Sequence, residues 1–110
     1  MRKSSEFAVQ WSDTARSDLD TLADYIALDS VDATRATIKR IESSIESLTT
    51  IPLRGRTIPE LALFGVRGYR ELIVAPWQIM YRVESQTVYV LAIIDGRRNV
   101  EDLLLDRFLR

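Results

Sequence analysis

Two residue types that carry much of protein chemistry are missing. The 110 residues contain no cysteine and no histidine. Without cysteine there is no disulfide framework, no thiolate nucleophile and no Cys-based zinc site. Without histidine the usual acid–base near neutral pH and the commonest metal ligand are gone. Ser-His-Asp, Cys-His and HExxH chemistry are excluded together. Long apolar runs are also absent: the longest, Val88 to Ile94, is far short of the ~20 residues needed to span a bilayer. The first eleven residues, MRKSSEFAVQW, have a basic start with no long apolar stretch behind it. That predicts no secretory signal, and a cytoplasmic chain is expected. Glycine and proline are sparse, at 4 and 3 residues, so the few that occur serve as punctuation.

What is present fits one domain. At 46% apolar and 28% charged, a chain of 110 residues can bury one core without staples. Net charge is only −1, yet it is unevenly spread. Residues 1–50 carry six basic and nine acidic side chains, net −3. Residues 51–98 carry seven basic and four acidic, net +3, and all seven cations are arginine. From residue 99 onward, two arginines face three acids. Arginine forks bind phosphate or carboxylate bidentately and stack on flat rings, so the middle segment suits an acidic or nucleic-acid partner met at one locus. A solvated, ion-paired surface is the plain alternative.

Hydrophobic spacing gives an order of elements. Phe7, Val9 and Trp11 alternate with Ala8 and Gln10, which predicts a short strand. Ser12 and Asp13 supply an N-cap and an acidic first turn for a helix whose buried stripe is Ala15, Leu19, Leu22 and Ile26. Ser30 caps a second helix with the stripe Ile38, Ile41, Ile45 and Leu48, making a helical hairpin. The segment IPLRGRTIPEL reads as a loop. Strands are predicted over Tyr69–Val74, Trp77–Glu84 and Thr87–Ile94, joined by tight turns into a meander. Asn99 caps a last helix with Val100, Leu103, Leu104 and Phe108 on one face. The expected fold is therefore α+β, in the order β-α-α-β-β-β-α, with a helical hairpin packed on an antiparallel sheet as a single domain over residues 1–110.

Three arginine groupings stand out. Arg54-Gly55-Arg56 lies in the loop, where glycine permits a sharp turn that aims both guanidiniums at one partner or leaves them in solvent. Arg70 and Glu71 point to opposite faces of one strand, and whichever faces the core needs a partner, with Arg82 a cross-strand candidate for Glu71. Arg97-Arg98 follow Asp95-Gly96 at the end of the last strand, a position that favours sites. The tail leucines with Phe108 read as core packing or as a docking surface.

Several fragments together resemble a known family. They are Trp11-Ser12 with Ala15, Asp18-Leu19 and Tyr25-Ile26-Ala27; Gly55-Arg56 with Pro59-Glu60-Leu61; Arg70-Glu71-Leu72; Pro76-Trp77-Gln78-Ile79-Met80-Tyr81-Arg82-Val83; and Gly96-Arg97-Arg98. In this order and spacing they resemble the RelE/ParE superfamily of type II toxins over nearly the whole chain. The resemblance implies a helical hairpin on a sheet and a partner antitoxin that wraps and silences the toxin.

The superfamily divides into ribosome-dependent mRNA endonucleases (RelE-like) and poisons of DNA gyrase (ParE-like). In the ribonuclease branch a cluster of cations stabilises developing phosphate charge while a Tyr or His serves as acid or base. Arg70 and Arg97 or Arg98 match cations of that cluster. Leu72 and Gln78 fall where further cations often sit, no Tyr follows Arg98, and Tyr81 is the remaining candidate acid. The runs RELIVAPWQIMYRV and VYVLAIIDGRR are closer to the ParE branch, although Asp95 stands where that branch often has His.

The resemblance thus implies a toxin that poisons gyrase by binding, with Arg97, Arg98, Arg54, Arg56 and Arg70 toward the target. Trp77, Met80, Arg82, Leu104 and Phe108 are expected to meet the antitoxin, whose acidic tail would cover the arginines. The alternatives are a ribonuclease using Arg70, Arg97, Arg98 and Tyr81, and an inactive module that only binds antitoxin. No metal or other cofactor is implied.

Overall fold

The computed structural model describes residues 6–66 and 68–96, apart from the side chain of Glu60. Strand β1 (Ala8–Trp11) leads into helix α1 (Asp13–Ala27) and helix α2 (Val31–Glu46), followed by a 3-10 turn at Ser47–Thr49. A two-residue strand β2 (Arg56–Thr57) and a short helix α3 (Pro59–Ala62) come next. Strands β3 (Tyr69–Val74), β4 (Trp77–Glu84) and β5 (Thr87–Asp95) complete a five-stranded sheet in the order β1-β5-β4-β3-β2.

Both long helices start as the capping residues dictate. The Ser12 hydroxyl accepts from the Ala15 N–H at 3.0 Å, and the Ser30 hydroxyl accepts from the Ala33 N–H at 3.0 Å. Their apolar stripes pack on one sheet face with Leu72, Val74, Trp77, Ile79, Tyr81, Val88 and Val90. Period-two alternation along β4 sends Met80 to the opposite face, where it packs with Ile58, Leu61, Ala92 and Ile94. The segment read from sequence as a plain loop is thus partly structured: β2 pairs with β3, and α3 delivers Leu61 to the second apolar cluster. Pro59 stands at the start of α3, where its missing N–H costs nothing, and Gly65 follows its end with φ 77°.

The helical hairpin and the three-stranded meander agree with the sequence pattern; β5 runs one residue further, to Asp95, and Leu48 falls in the 3-10 turn just after α2. The sheet is antiparallel from β2 to β5, and β1 makes it mixed by pairing parallel to β5. Alternation in a four-residue strand carries no information about which neighbour it joins or in which direction. Opposite Met80 and Tyr81 the β4–β5 register shifts by one residue. The part of β5 beyond β1 is served by α1 instead: the Ser12 hydroxyl donates to the Leu91 carbonyl at 3.1 Å, and the Asp18 carboxylate accepts from the Ile93 N–H at 2.9 Å. The predicted last helix, with Leu104 and Phe108, lies outside the described residues.

Candidate functional site: an arginine collar around Gly55

The Gly55 loop is fixed to the sheet by two facing residues of β3 and β4. Arg70 and Tyr81 are direct partners in the β3–β4 register. The Tyr81 hydroxyl donates to the Pro52 carbonyl at 2.8 Å and accepts from the Gly55 N–H at 2.9 Å. Arg70 donates to the Gly55 carbonyl at 2.7 Å and to the Leu53 carbonyl at 3.4 Å. The approach is close enough to require glycine. A Cβ at position 55 would lie 2.6 Å from the Glu71 carbonyl oxygen and 2.7 Å from the Tyr81 hydroxyl. Only a residue without a side chain lets the loop reach β3 and the phenol at once.

This anchoring places Arg54, Arg56 and Arg70 around one loop. Arg54 donates to the Ser47 hydroxyl at 2.5 Å. Arg56 donates its Nε to Glu71 at 2.5 Å, and its side chain stays 63% exposed, so the rest of the guanidinium faces outward. Glu71 is 2% exposed, and its second oxygen accepts from the Gln78 amide at 2.7 Å. Gln78 is itself buried, and among the described residues its side-chain carbonyl oxygen has no partner.

Glu71 therefore takes its cation from β2, whereas Arg82 bonds Glu84 on its own strand and stacks over Tyr89, 4.9 Å from the ring centre. The cross-strand pairing of Glu71 with Arg82 considered from sequence is not formed, because β2, invisible in the pattern, brings Arg56 to register opposite Glu71. Alternation of β3 correctly put Arg70 and Glu71 on opposite faces, but the acid sits among the buried groups.

Tyr81 is fully buried. Burial pushes its hydroxyl above the ordinary tyrosine pKa, opposed in part by the Gly55 N–H and by the Arg70 and Arg54 guanidiniums. The proton is held, and both hydrogen-bonding roles of the oxygen are occupied by backbone. Its geometry is that of a loop anchor.

The described members of the antitoxin-facing set expected from sequence, Trp77, Met80 and Arg82, do not form one surface. Trp77 is 7% exposed inside the helix-side core, and Met80 is 1% exposed in the cluster on the other face. Both are consumed by the molecule's own packing, since β4 is the central strand and is covered on both sides. Arg82, half-buried, is the described member with solvent access. Arg97, Arg98, Leu104 and Phe108 lie outside the described residues. Among the described residues no group of three or more acids could hold a metal ion, and no helix is long and apolar enough to cross a membrane.

Comparisons with known proteins agree with this architecture. A model of the ParE toxin of type II toxin–antitoxin systems (parDE) matches residues 9–100. Toxin ParE3 of Caulobacter vibrioides is 38% identical over 65 residues, 59% of this chain and 61% of that protein. The match therefore spans under two thirds of that relative's length. In fold, the chain is similar to a structure of the chromosomal ParDE system of P. aeruginosa, with TM-score 0.67 and 22% identity over 82% of this chain and 96% of that one. It is also similar to a chain of the RelBE2 toxin–antitoxin complex of Mycobacterium tuberculosis, with TM-score 0.56 and 21% identity over 82% and 98%. With the family model covering most of the chain and the fold in agreement, this protein belongs to the ParE toxin family of type II toxin–antitoxin systems.

Proposed function

We propose that this chain is a cytoplasmic growth inhibitor that acts by binding DNA gyrase and is neutralised by a cognate antitoxin, all 110 residues forming one toxin domain. Family membership supports a toxin with an antitoxin partner. The observation that favours binding over RNA cleavage is at Tyr81. Phosphodiester cleavage by a 2′-hydroxyl needs a proton donor and acceptor, and arginine stays charged at any working pH. The chain has no histidine, and the Tyr81 hydroxyl is tied to Gly55 and Pro52. The collar's carboxylate, Glu71, is buried with both oxygens taken by Arg56 and Gln78, so the exposed arginine forks are suited to recognition. Arg97 and Arg98 carry the main contact, and the outward parts of Arg54, Arg56 and Arg70 add to it.

The test is induced expression without antitoxin, read by a DNA-damage reporter with growth followed in parallel. Arrest accompanied by damage is the expected result, and Arg97→Ala/Arg98→Ala should abolish both while thermal melting stays unchanged. Arrest without damage, with codon-linked mRNA ends, would overturn the gyrase reading in favour of the ribosome. Full toxicity of the double variant would remove the two arginines from the site.

A further inference from the structure

Among the described residues two polar side chains are buried, Glu71 and Gln78. Both stand on the sheet face of Met80: Glu71 is its register partner on β3, and Gln78 lies two residues before it on β4. Gln78 sits between Ile73 of β3 and Ile94 of β5 in register. An amide there carries a penalty, since its side-chain oxygen has no partner among the described residues. Methionine or leucine would fill the same space beside Met80 and Ile94 without an orphaned acceptor. Stability alone therefore does not call for glutamine at this position.

What the amide does is directional. Its Nε2 donates to Glu71 Oε1 at 2.7 Å, which leaves Glu71 Oε2 for the Arg56 Nε. A carboxylate held on both oxygens has one orientation, and an arginine held by its Nε keeps its terminal nitrogens for a partner. The other end of Gln78 meets the exit of β5. A Cβ at Gly96 would lie 3.0 Å from Gln78 Oε1 and 3.2 Å from Gln78 Cγ. The Gly96 N–H donates to the Pro76 carbonyl at 2.7 Å, which pins that exit against the turn between β3 and β4. Position 96 is crowded by these neighbours, and its φ lies outside the left-handed range, so contact rather than backbone conformation explains the glycine. The contacts run Arg56, Glu71, Gln78, Gly96, from β2 across the sheet to the residue before Arg97.

We propose that Gln78 is a positioning residue for both arginine groups. Through Glu71 it fixes the Arg56 fork, and through Gly96 it fixes where the chain leaves β5 toward Arg97 and Arg98. That these arginines touch a target rests on the function proposed above; the tie between them rests on the contacts of Gln78. Glu71 and Gln78 serve direction at a cost in stability. Replacing such buried polar groups together by apolar ones is often neutral or stabilising, so direction and stability can be separated by experiment.

The test uses the full chain labelled with nitrogen-15, the Arg56 Nε–H signal being identified by its loss in Arg56→Lys. Gln78→Met should speed solvent exchange of that Nε–H about tenfold or more, because Glu71 is no longer held. Gly96→Ala should speed it as well, since the methyl pushes the Gln78 amide, and should add nothing in the Gln78→Met background. A glycine with a purely local role would send no effect to β2. Glu71→Met/Gln78→Met leaves neither buried polar group, so it should melt no lower than the wild type. It should nevertheless lose about tenfold in toxicity on induction, the effect of one misplaced contact arginine. This pair variant also decides the question if Gln78→Met does not fold. An Arg56 signal indifferent to either Gln78→Met or Gly96→Ala overturns the tie and leaves the gyrase reading standing. A pair variant that melts like the wild type and stays fully toxic overturns the positioning role. The gyrase reading fails by a different sign, arrest by the wild type without DNA damage, which the exchange measurements do not touch.

Discussion

Replacing Tyr81 by phenylalanine removes one oxygen and keeps the ring that fills the core. In the wild type that oxygen serves the Gly55 N–H at 2.9 Å and the Pro52 carbonyl at 2.8 Å. The Gly55 donor is buried, and stranding such a group costs about 1–3 kcal/mol. Pro52 is half-buried and can recruit water, so its loss adds about 1 kcal/mol or less. The expected destabilisation is about 1–4 kcal/mol, a large part of a typical domain's margin. Urea unfolding followed by tryptophan fluorescence should show the midpoint falling by roughly 0.5–2 M with an unchanged slope.

The same variant has a signature in pH. Burial raises the Tyr81 hydroxyl above its ordinary 10.0, so the folded protein holds this proton to higher pH than the unfolded chain. Stability from this group is complete below about pH 10. It falls as pH rises toward the folded value, by at most about 1.4 kcal/mol per unit. The phenylalanine variant should lack that alkaline slope. An unchanged urea midpoint together with lost activity would refute this account, because it would identify Tyr81 as a proton donor rather than an anchor.

Gly55→Ala should cost about 2–4 kcal/mol and loosen the arginine collar, since the new methyl meets the Glu71 carbonyl and the Tyr81 hydroxyl; calorimetry or urea melts read it. Glu71→Ala leaves the Gln78 amide buried without an acceptor and Arg56 without its brace, for a loss of about 2–3 kcal/mol by the same measurement. Ser12→Ala removes the α1 cap and the bond to Leu91 together, and should lower stability by about 1–2 kcal/mol in a urea titration. An effect near zero at Ser12 would mean that water replaces both bonds.

The parts of the fold that were legible share a cause. Ala15 to Ile26 and Ile38 to Leu48 are amphipathic at helical spacing, and Ser12 and Ser30 stand where caps belong, so local sequence and tertiary burial agree. The meander was equally plain because Trp77, Ile79 and Tyr81 alternate with residues of the other face. What failed to show was non-local. Two residues cannot display alternation, so β2 was hidden, and with it the Arg56–Glu71 pair. Arg54-Gly55-Arg56 and Arg70 were recognisable as a cationic group, but the glycine signalled only a turn. Its reason, contact with a phenol 26 residues away, exists only after β4 has packed. Trp77 and Met80 were misplaced as surface for a related reason: both faces of a central strand are covered here, the second by α3, which has no periodicity of its own.

The parallel pairing of β1 with β5 has a consequence in time. The strand made first can take its place only when the strand around residue 87 exists, because Ala8 pairs with Thr87. Synthesis proceeds from the N-terminus, so the hairpin of helices emerges with its sheet still unmade. Closing so long a loop is slow and is compensated only when the last strand arrives. During that interval Val9, Trp11 and the inner stripes of both helices stand open to any apolar surface that reaches them first. The sheet is therefore incomplete on its β1 side until β5 is out. A partner able to engage β1 at that stage would meet it before the sheet that completes the toxin has formed.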